Sequence, residues 1–150
     1  MRTWFLLAAV GCGTSGEPMK GDVTVMYGTA SPKLVVGSAV VDKNTPGHML
    51  VQLGTDNVDC STFINGIEIG FPEGTYVYFS ADASTPGTDP QAYVDVMKSA
   101  GNNVNIDSAA GSVTIATIDT RVTGSLTWTT TDDKVGTISV SGGFDVKRCF

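Results

Sequence analysis

Residues 111–149 read GSVTIATIDTRVTGSLTWTTTDDKVGTISVSGGFDVKRC, and the alternation in this stretch decides the fold class. Val122, Leu126 and Trp128 share one parity, while Thr123, Ser125, Thr127 and Thr129 share the other. Ile138, Val140, Phe144 and Val146 stand in the same way against Thr137, Ser139, Ser141, Asp145 and Lys147. A period of two puts apolar side chains on one face and polar ones on the other, as in two half-buried strands. Pairing them with apolar faces together requires partner numbers that sum to an even value. The turn at Asp132 and Asp133 then holds an odd number of residues, about three or five. Trp128 falls on the apolar parity and is expected in the core. The hydroxyl face needs no ligand, because threonine suits an exposed strand position.

Upstream, residues 22–28 alternate Val23, Val25 and Tyr27 against Thr24 and Met26. Residues 33–42 carry valines on both parities, which predicts a strand covered on both faces. Asn44-Thr45-Pro46-Gly47 places Pro and Gly as a type II turn wants them, and Met49, Val51 and Leu53 return on one face, completing a hairpin. Residues 55–71 are irregular and read as a loop or a short helix. Residues 75–82 alternate Val77, Phe79 and Ala81 against Tyr76, Tyr78 and Ser80. A segment around Val94 and Val96 and a short strand over 103–106 follow. About seven to nine strands with Gly, Pro and Asn turns, and no repeat of fixed period, predict an all-β antiparallel two-sheet sandwich of jelly-roll or immunoglobulin-like form with little helix. A closed barrel is the alternative.

The chain has 150 residues with 18 Gly, 6 Pro, 41% hydrophobic and only 16% charged residues, enough for one domain with a real core. Its net charge is −6, and its nine Lys and Arg are dispersed apart from Lys147-Arg148. Without a basic cluster to release counterions, nucleic acid is excluded as a partner class.

Met1-Arg2 is a short basic start, residues 4–10 are uninterruptedly apolar, and Ala9-Val10-Gly11-Cys12 ends the run. This start resembles a bacterial lipoprotein precursor, with Ala9 where that family usually has Leu. The resemblance implies cleavage after Gly11, lipidation of Cys12, export, and a membrane partner reached through the lipid anchor. Residues 1–11 then form a signal peptide, 12–21 a flexible tether and 22–150 the β domain. Stable anchoring follows from more than one acyl chain. With Cys12 assigned to lipid, Cys60 and Cys149 remain as an even pair, and export makes a disulfide between them the natural expectation. Strict alternation from Ile138 puts Cys149 on the polar parity, so the bridge is expected at an edge or end of the sheet. Gly142-Gly143 marks a candidate bulge. Cys60 after a strand, Gly74-Thr75-Tyr76, Val122-Thr123-Gly124 and Gly143-Phe144-Asp145 before Cys149 also resemble a loose class of uncharacterised β-sandwich lipoproteins.

Few residues suggest chemistry. His48 is the only histidine and follows a Pro-Gly turn, so a Ser-His-acid site has one candidate base. HExxH, CxxC and phosphate-cradling glycine loops are absent from the sequence. Glu68 and Glu73 are the glutamates in strand regions, in no informative motif. Asp56, Asn57 and Asp59 gather hard oxygen ligands and make Ca2+ the candidate ion, as does Asp132-Asp133 at a turn, though neither resembles an EF-hand loop. Tyr76 and Tyr78 point outward by parity and are the candidate binding pair for a sugar. The expected function is therefore a non-enzymatic, lipid-anchored envelope protein with a structural or protein-interaction role. A carbohydrate- or peptidoglycan-binding module is the alternative and a hydrolase the third reading. An envelope protein or polysaccharide is the candidate partner, no cofactor is expected beyond Ca2+, and the oligomeric state is open.

Overall fold

The computed structural model describes residues 16–61, 73–100 and 103–149. Among them nine strands follow one another: β1 (Lys20–Gly21), β2 (Thr24–Tyr27), β3 (Val36–Val41), β4 (His48–Gly54), β5 (Gly74–Asp82), β6 (Gly87–Ala100), β7 (Asn103–Ile118), β8 (Arg121–Asp132) and β9 (Gly136–Cys149). The chain is all-β as expected, and every described regular element is a strand.

All nine strands belong to one mixed sheet. Successive strands from β3 to β9 pair antiparallel. The ladder then returns to its start, because β9 also pairs in parallel with β3, Ser38 beside Lys147 and Val40 beside Cys149. The length of β9 makes this closure feasible. One of its edges serves β8 throughout, and the other takes β2 at residues 138–141, β1 at Phe144 and Asp145, and β3 at its end. At the level of hydrogen bonds the strands thus form a single, mostly antiparallel circuit with one parallel link.

The β8–β9 hairpin has the predicted register. Trp128 stands opposite Val140 and Val122 opposite Val146, and the ladder ends at Asp132 opposite Gly136, so residues 133–135 form a three-residue turn. Asp132 Oδ1 accepts the amides of Lys134 and Val135, both at 2.8 Å, as an Asx turn does. Gly142-Gly143 does not interrupt pairing with β8. These glycines instead allow the link between β1 and β2 to pass close over β9: Gly142 has φ +136°, and a Cβ there would lie 2.7 Å from the Val23 Cα. Pro90 sits between Asp89 and Ala92, where the β6–β7 register shifts, because proline has no amide to give to a ladder.

β7 runs through sixteen residues rather than the short strand expected over 103–106. Its Ser108-Ala109-Ala110-Gly111 centre lacks the alternation that marks a strand, and pairing with β6 determines it instead. Gly111 is required by packing, since a Cβ there would meet the Trp128 ring at 2.9 Å. Trp128 is 1% exposed and its Nε1 donates to the Ala109 carbonyl at 3.0 Å. Around it one large core joins side chains of β2 through β9, among them Val25, Val51, Phe79, Val94, Ile115, Leu126, Val140 and Phe144.

Residues 16–21, expected within a flexible tether, are tied into the sheet. Glu17 N donates to Val58 O at 2.7 Å, Gly37 N donates to Glu17 O at 2.9 Å, Lys147 Nζ reaches Glu17 Oε1 at 2.7 Å, and β1 pairs with β9. Short polar residues of this kind read as linker in sequence, but backbone bonds to β3 and β9 hold them here.

Candidate functional site

The most elaborate local structure lies on the outside of the sheet. The inward positions of β3, β4 and β5 feed the main core. The outward positions Val36, Tyr76 and Met97 form a second, smaller cluster with Val58, against which Tyr78 packs. Such a face would ordinarily meet water. Here residues 55–61 cross it, with Val58 fully buried. Thr55 N bonds to Thr75 O at 3.0 Å and Ser38 Oγ to Asp59 O at 3.3 Å. The segment is pinned by a disulfide between Cys60 and Cys149, with Cα atoms 5.5 Å apart. Cys149 is the last residue of β9 and buried, so the bridge sits at a strand end, as the parity of β9 predicts.

This cover changes the role of the two tyrosines. Tyr76 and Tyr78 do project from the outer face, but Tyr76 is only 1% exposed and Tyr78 is half-buried. Tyr76 Oη donates to Glu73 O at 3.3 Å, and Tyr78 Oη accepts from Gln52 Nε2 at 2.8 Å. The open stacking face that a sugar needs is therefore not offered by this pair. Burial pushes the Tyr76 phenol up to about 12, with Asp56 adding to the shift, and raises Tyr78 further for the same primary reason. Tyr27, buried elsewhere in the main core, is also raised to about 12, first by burial and then by Asp107, to which it donates at 3.1 Å.

Two predictions arise here. Gln52 is buried and its Oε1 has no partner among the described residues, while its Nε2 is held by Tyr78 Oη. Tyr78→Phe should cost about 1–3 kcal/mol by leaving the Gln52 amide unsatisfied. Tyr78→Phe with Gln52→Leu should recover part of that loss in urea unfolding, and a double variant weaker than the sum of the singles contradicts the coupling. The second concerns pH. For Tyr27 and Tyr76 the folded pKa lies above the unfolded value near 10, so the unfolded chain loses protons first as pH rises. Their contribution is complete below about pH 10 and is lost through about pH 12. In a Tyr93→Phe background, which removes the exposed phenol, tyrosinate absorbance should therefore rise together with unfolding in that window rather than before it, whereas titration ahead of unfolding contradicts the burial.

The acidic candidates are spent on the backbone. Asp56 Oδ1 accepts the Asn57 amide at 2.8 Å, and Asp59 Oδ1 accepts the amide and hydroxyl of Ser61 at 2.7 and 2.6 Å. Asn57 occupies the left-handed region with φ +54°, a conformation asparagine tolerates. Asp56, Asn57 and Asp59 thus shape a turn, and among the described residues no cluster of three or more His, Cys, Asp or Glu is arranged to hold a metal. Cys12 and Glu68 lie outside the described residues.

His48 begins β4 and is exposed, with Nδ1 3.5 Å from Ser80 Oγ on β5, a neighbour the sequence reading did not pair with it. The carboxylates nearby are committed to turns. Asp42 Oδ1 accepts the Asn44 amide at 2.8 Å, and Asp82 Oδ1 accepts the Ser84 and Thr85 amides at 2.7 Å. These backbone bonds hold both carboxyls below the usual range, with His48 a minor contributor. The grouping resembles a catalytic set in composition only: the serine–histidine contact is long, water reaches both groups, and the acids face turn amides.

An open cleft of about 360 Å3 lies across β1, β7, β8 and β9 and is lined by Lys20, Gly21, Thr114, Ser125, Gly143 and Asp145 among others. Its charged wall is engaged, since Arg121 pairs with the Asp145 carboxylate and donates to its carbonyl at 2.7 Å. Hydroxyls of the neighbouring strands bond to one another, Thr88 to Thr114 at 2.9 Å and Thr117 to Thr123 at 2.6 Å.

Compared with family models, with curated proteins and with solved structures, the chain matches none.

Proposed function

We propose that the chain is a non-enzymatic, lipid-anchored protein of the bacterial cell envelope whose β domain has a structural or protein-interaction role. The observation that carries this reading is the division of the cysteines. Cys60 and Cys149 are bridged, an arrangement that persists in oxidising compartments, and Cys12 is left as the odd thiol directly after the small residues of a lipobox-like stretch. The sheet takes up the chain from Gly16 onward. The span from Cys12 to Gly16 reaches about 14 Å at full extension, so an anchored domain sits close to the headgroups rather than on a long leash. For its shape we take the circuit to be flattened, with β3–β6 and β7–β9 facing each other like the layers of a sandwich. The tilted contact of Phe79 on β5 with Phe144 on β9, ring centroids 5.6 Å apart, supports this.

The test is an intact-mass and N-terminal peptide measurement on protein from the membrane fraction of a bacterial host. A chain beginning at acylated Cys12, with thiols of Cys60 and Cys149 appearing only after reduction, is the expected result. A chain retaining Met1 or Arg2 in the soluble fraction with three free thiols overturns the proposal.

A further inference from the structure

The seam between β7 and β8 is bonded only from Ser112 opposite Thr127 to Ile118 opposite Val122. Residues 103–110 of β7 bond to β6 along one edge, and their other edge carries no backbone ladder among the described residues. Asn103, Val104, Asn105 and Ile106 are all exposed, Val104 by 42% and Ile106 by 57%. A narrow cleft of about 150 Å3, lined by Asn105, Ile106, Asp107, Asp132 and Tyr27 among others, lies against this edge. An open edge is a template for another strand, and proteins usually blunt one with Lys, Pro or a bulge. The strand itself has none of the three, and the lysine nearest to it in the cleft, Lys134, belongs to the β8–β9 turn. The stretch NVNIDSAA contains no Lys, Arg or Pro, and its register against β6 runs unshifted from Asn103 to Gly111. Its single charge, Asp107, accepts from Tyr27 Oη through Oδ2.

We propose that this edge pairs with the same edge of a second copy, antiparallel about a two-fold axis at Ile106. The choice of partner comes from the side chains. In a two-fold antiparallel pair, faces match only when opposed residue numbers sum to an even value. Centred on Ile106, the register sets Ile106 against Ile106 of the second copy and Val104 against Ser108. It sets Asn105 against Asp107, where an amide donates to a carboxylate twice over, once on each side of the axis. Shifting the axis to Asp107 opposes two like charges, which destabilises a cross-strand pair. Shifting it to Asn105 pairs fewer of the described residues, 103–107 against 103–109. Of these three axes, the one at Ile106 pairs the most described residues without opposing like charges, and the exposed Val104 and Ile106 are the residues that this register covers. The inference does not rest on the anchor.

The test uses the full chain in a Cys12→Ser background, so that an introduced cysteine is the only free thiol. Residues opposed at the axis have Cα atoms about 4.5–5.5 Å apart, within disulfide reach, whereas Val104 lies about 13 Å from its own copy. Ile106→Cys should form a reductant-sensitive species of twice the chain mass, and Val104→Cys should not. In sedimentation velocity the Cys12→Ser chain should be a dimer, and Ile106→Lys a monomer with an unchanged circular dichroism spectrum. A monomeric Cys12→Ser chain at every concentration, equal linking by both cysteine variants, or linking by neither overturns the proposal. If Ile106→Lys fails to fold, the cysteine pair decides alone.

Discussion

Cys149→Ser should lower stability by about 4–5 kcal/mol in equilibrium urea unfolding, on the chain-entropy account of a long disulfide loop. The bridge spans 89 residues and joins the end of β9 to a segment that has no strand of its own. Loss of the crosslink enlarges the unfolded ensemble, and in the folded state it also frees residues 55–61 to lift from the outer face. That second effect has its own readout. Tyr76, held near 12 by burial, should titrate closer to its ordinary value in the variant while Tyr27, buried in the main core, should not change. Reductant added to the unsubstituted chain should give the same loss. A change below about 1 kcal/mol would mean that the backbone bonds and the packing of Val58 secure the segment without the bridge.

Trp128→Ala should cost about 3–5 kcal/mol, the range for removing a buried aromatic side chain from a core. Two features place it at the upper end. The ring fills the space that Gly111 leaves open on the adjacent strand, so β7 has no side chain at that point to collapse into the cavity. Its indole also satisfies the Ala109 carbonyl at the point where β7 parts from β8. Trp128→Phe keeps most of the apolar volume and loses the donor, so it should cost about 1–3 kcal/mol. If the two variants were equally destabilised, the hydrogen bond rather than the packing would be the dominant contribution.

The strands that face water on one side were legible in the sequence. Trp128, Val140 and Phe144 betray the β8–β9 hairpin because burial on a single face leaves a period of two, and parity then restricts the turn to odd lengths. The covered β3 was legible for the complementary reason, its valines appearing on both parities. Tyr76 and Tyr78 were misjudged because alternation reports which face a side chain takes and is blind to what covers that face. The covering residues, Val58 and Cys60, belong to a segment without periodicity. The length of β7 was hidden by Ser108, Ala109 and Ala110, small residues that a strand accepts only when a neighbour such as β6 supplies the ladder. Sheet closure through the parallel β3–β9 link joins residues far apart in the chain, and no local pattern encodes it.

The position of β9 has a consequence for the order in which the molecule can assemble. It comes last in chain order among the nine described strands, yet β1, β2, β3 and β8 all bond to it. A nascent chain that lacks β9 leaves β3 and β8 with open edges and the main core without Ile138, Val140, Phe144 and Val146. Contacts so distant in sequence form slowly. The sheet therefore stays open, whatever pairs form earlier, until β9 has been made and has found β3.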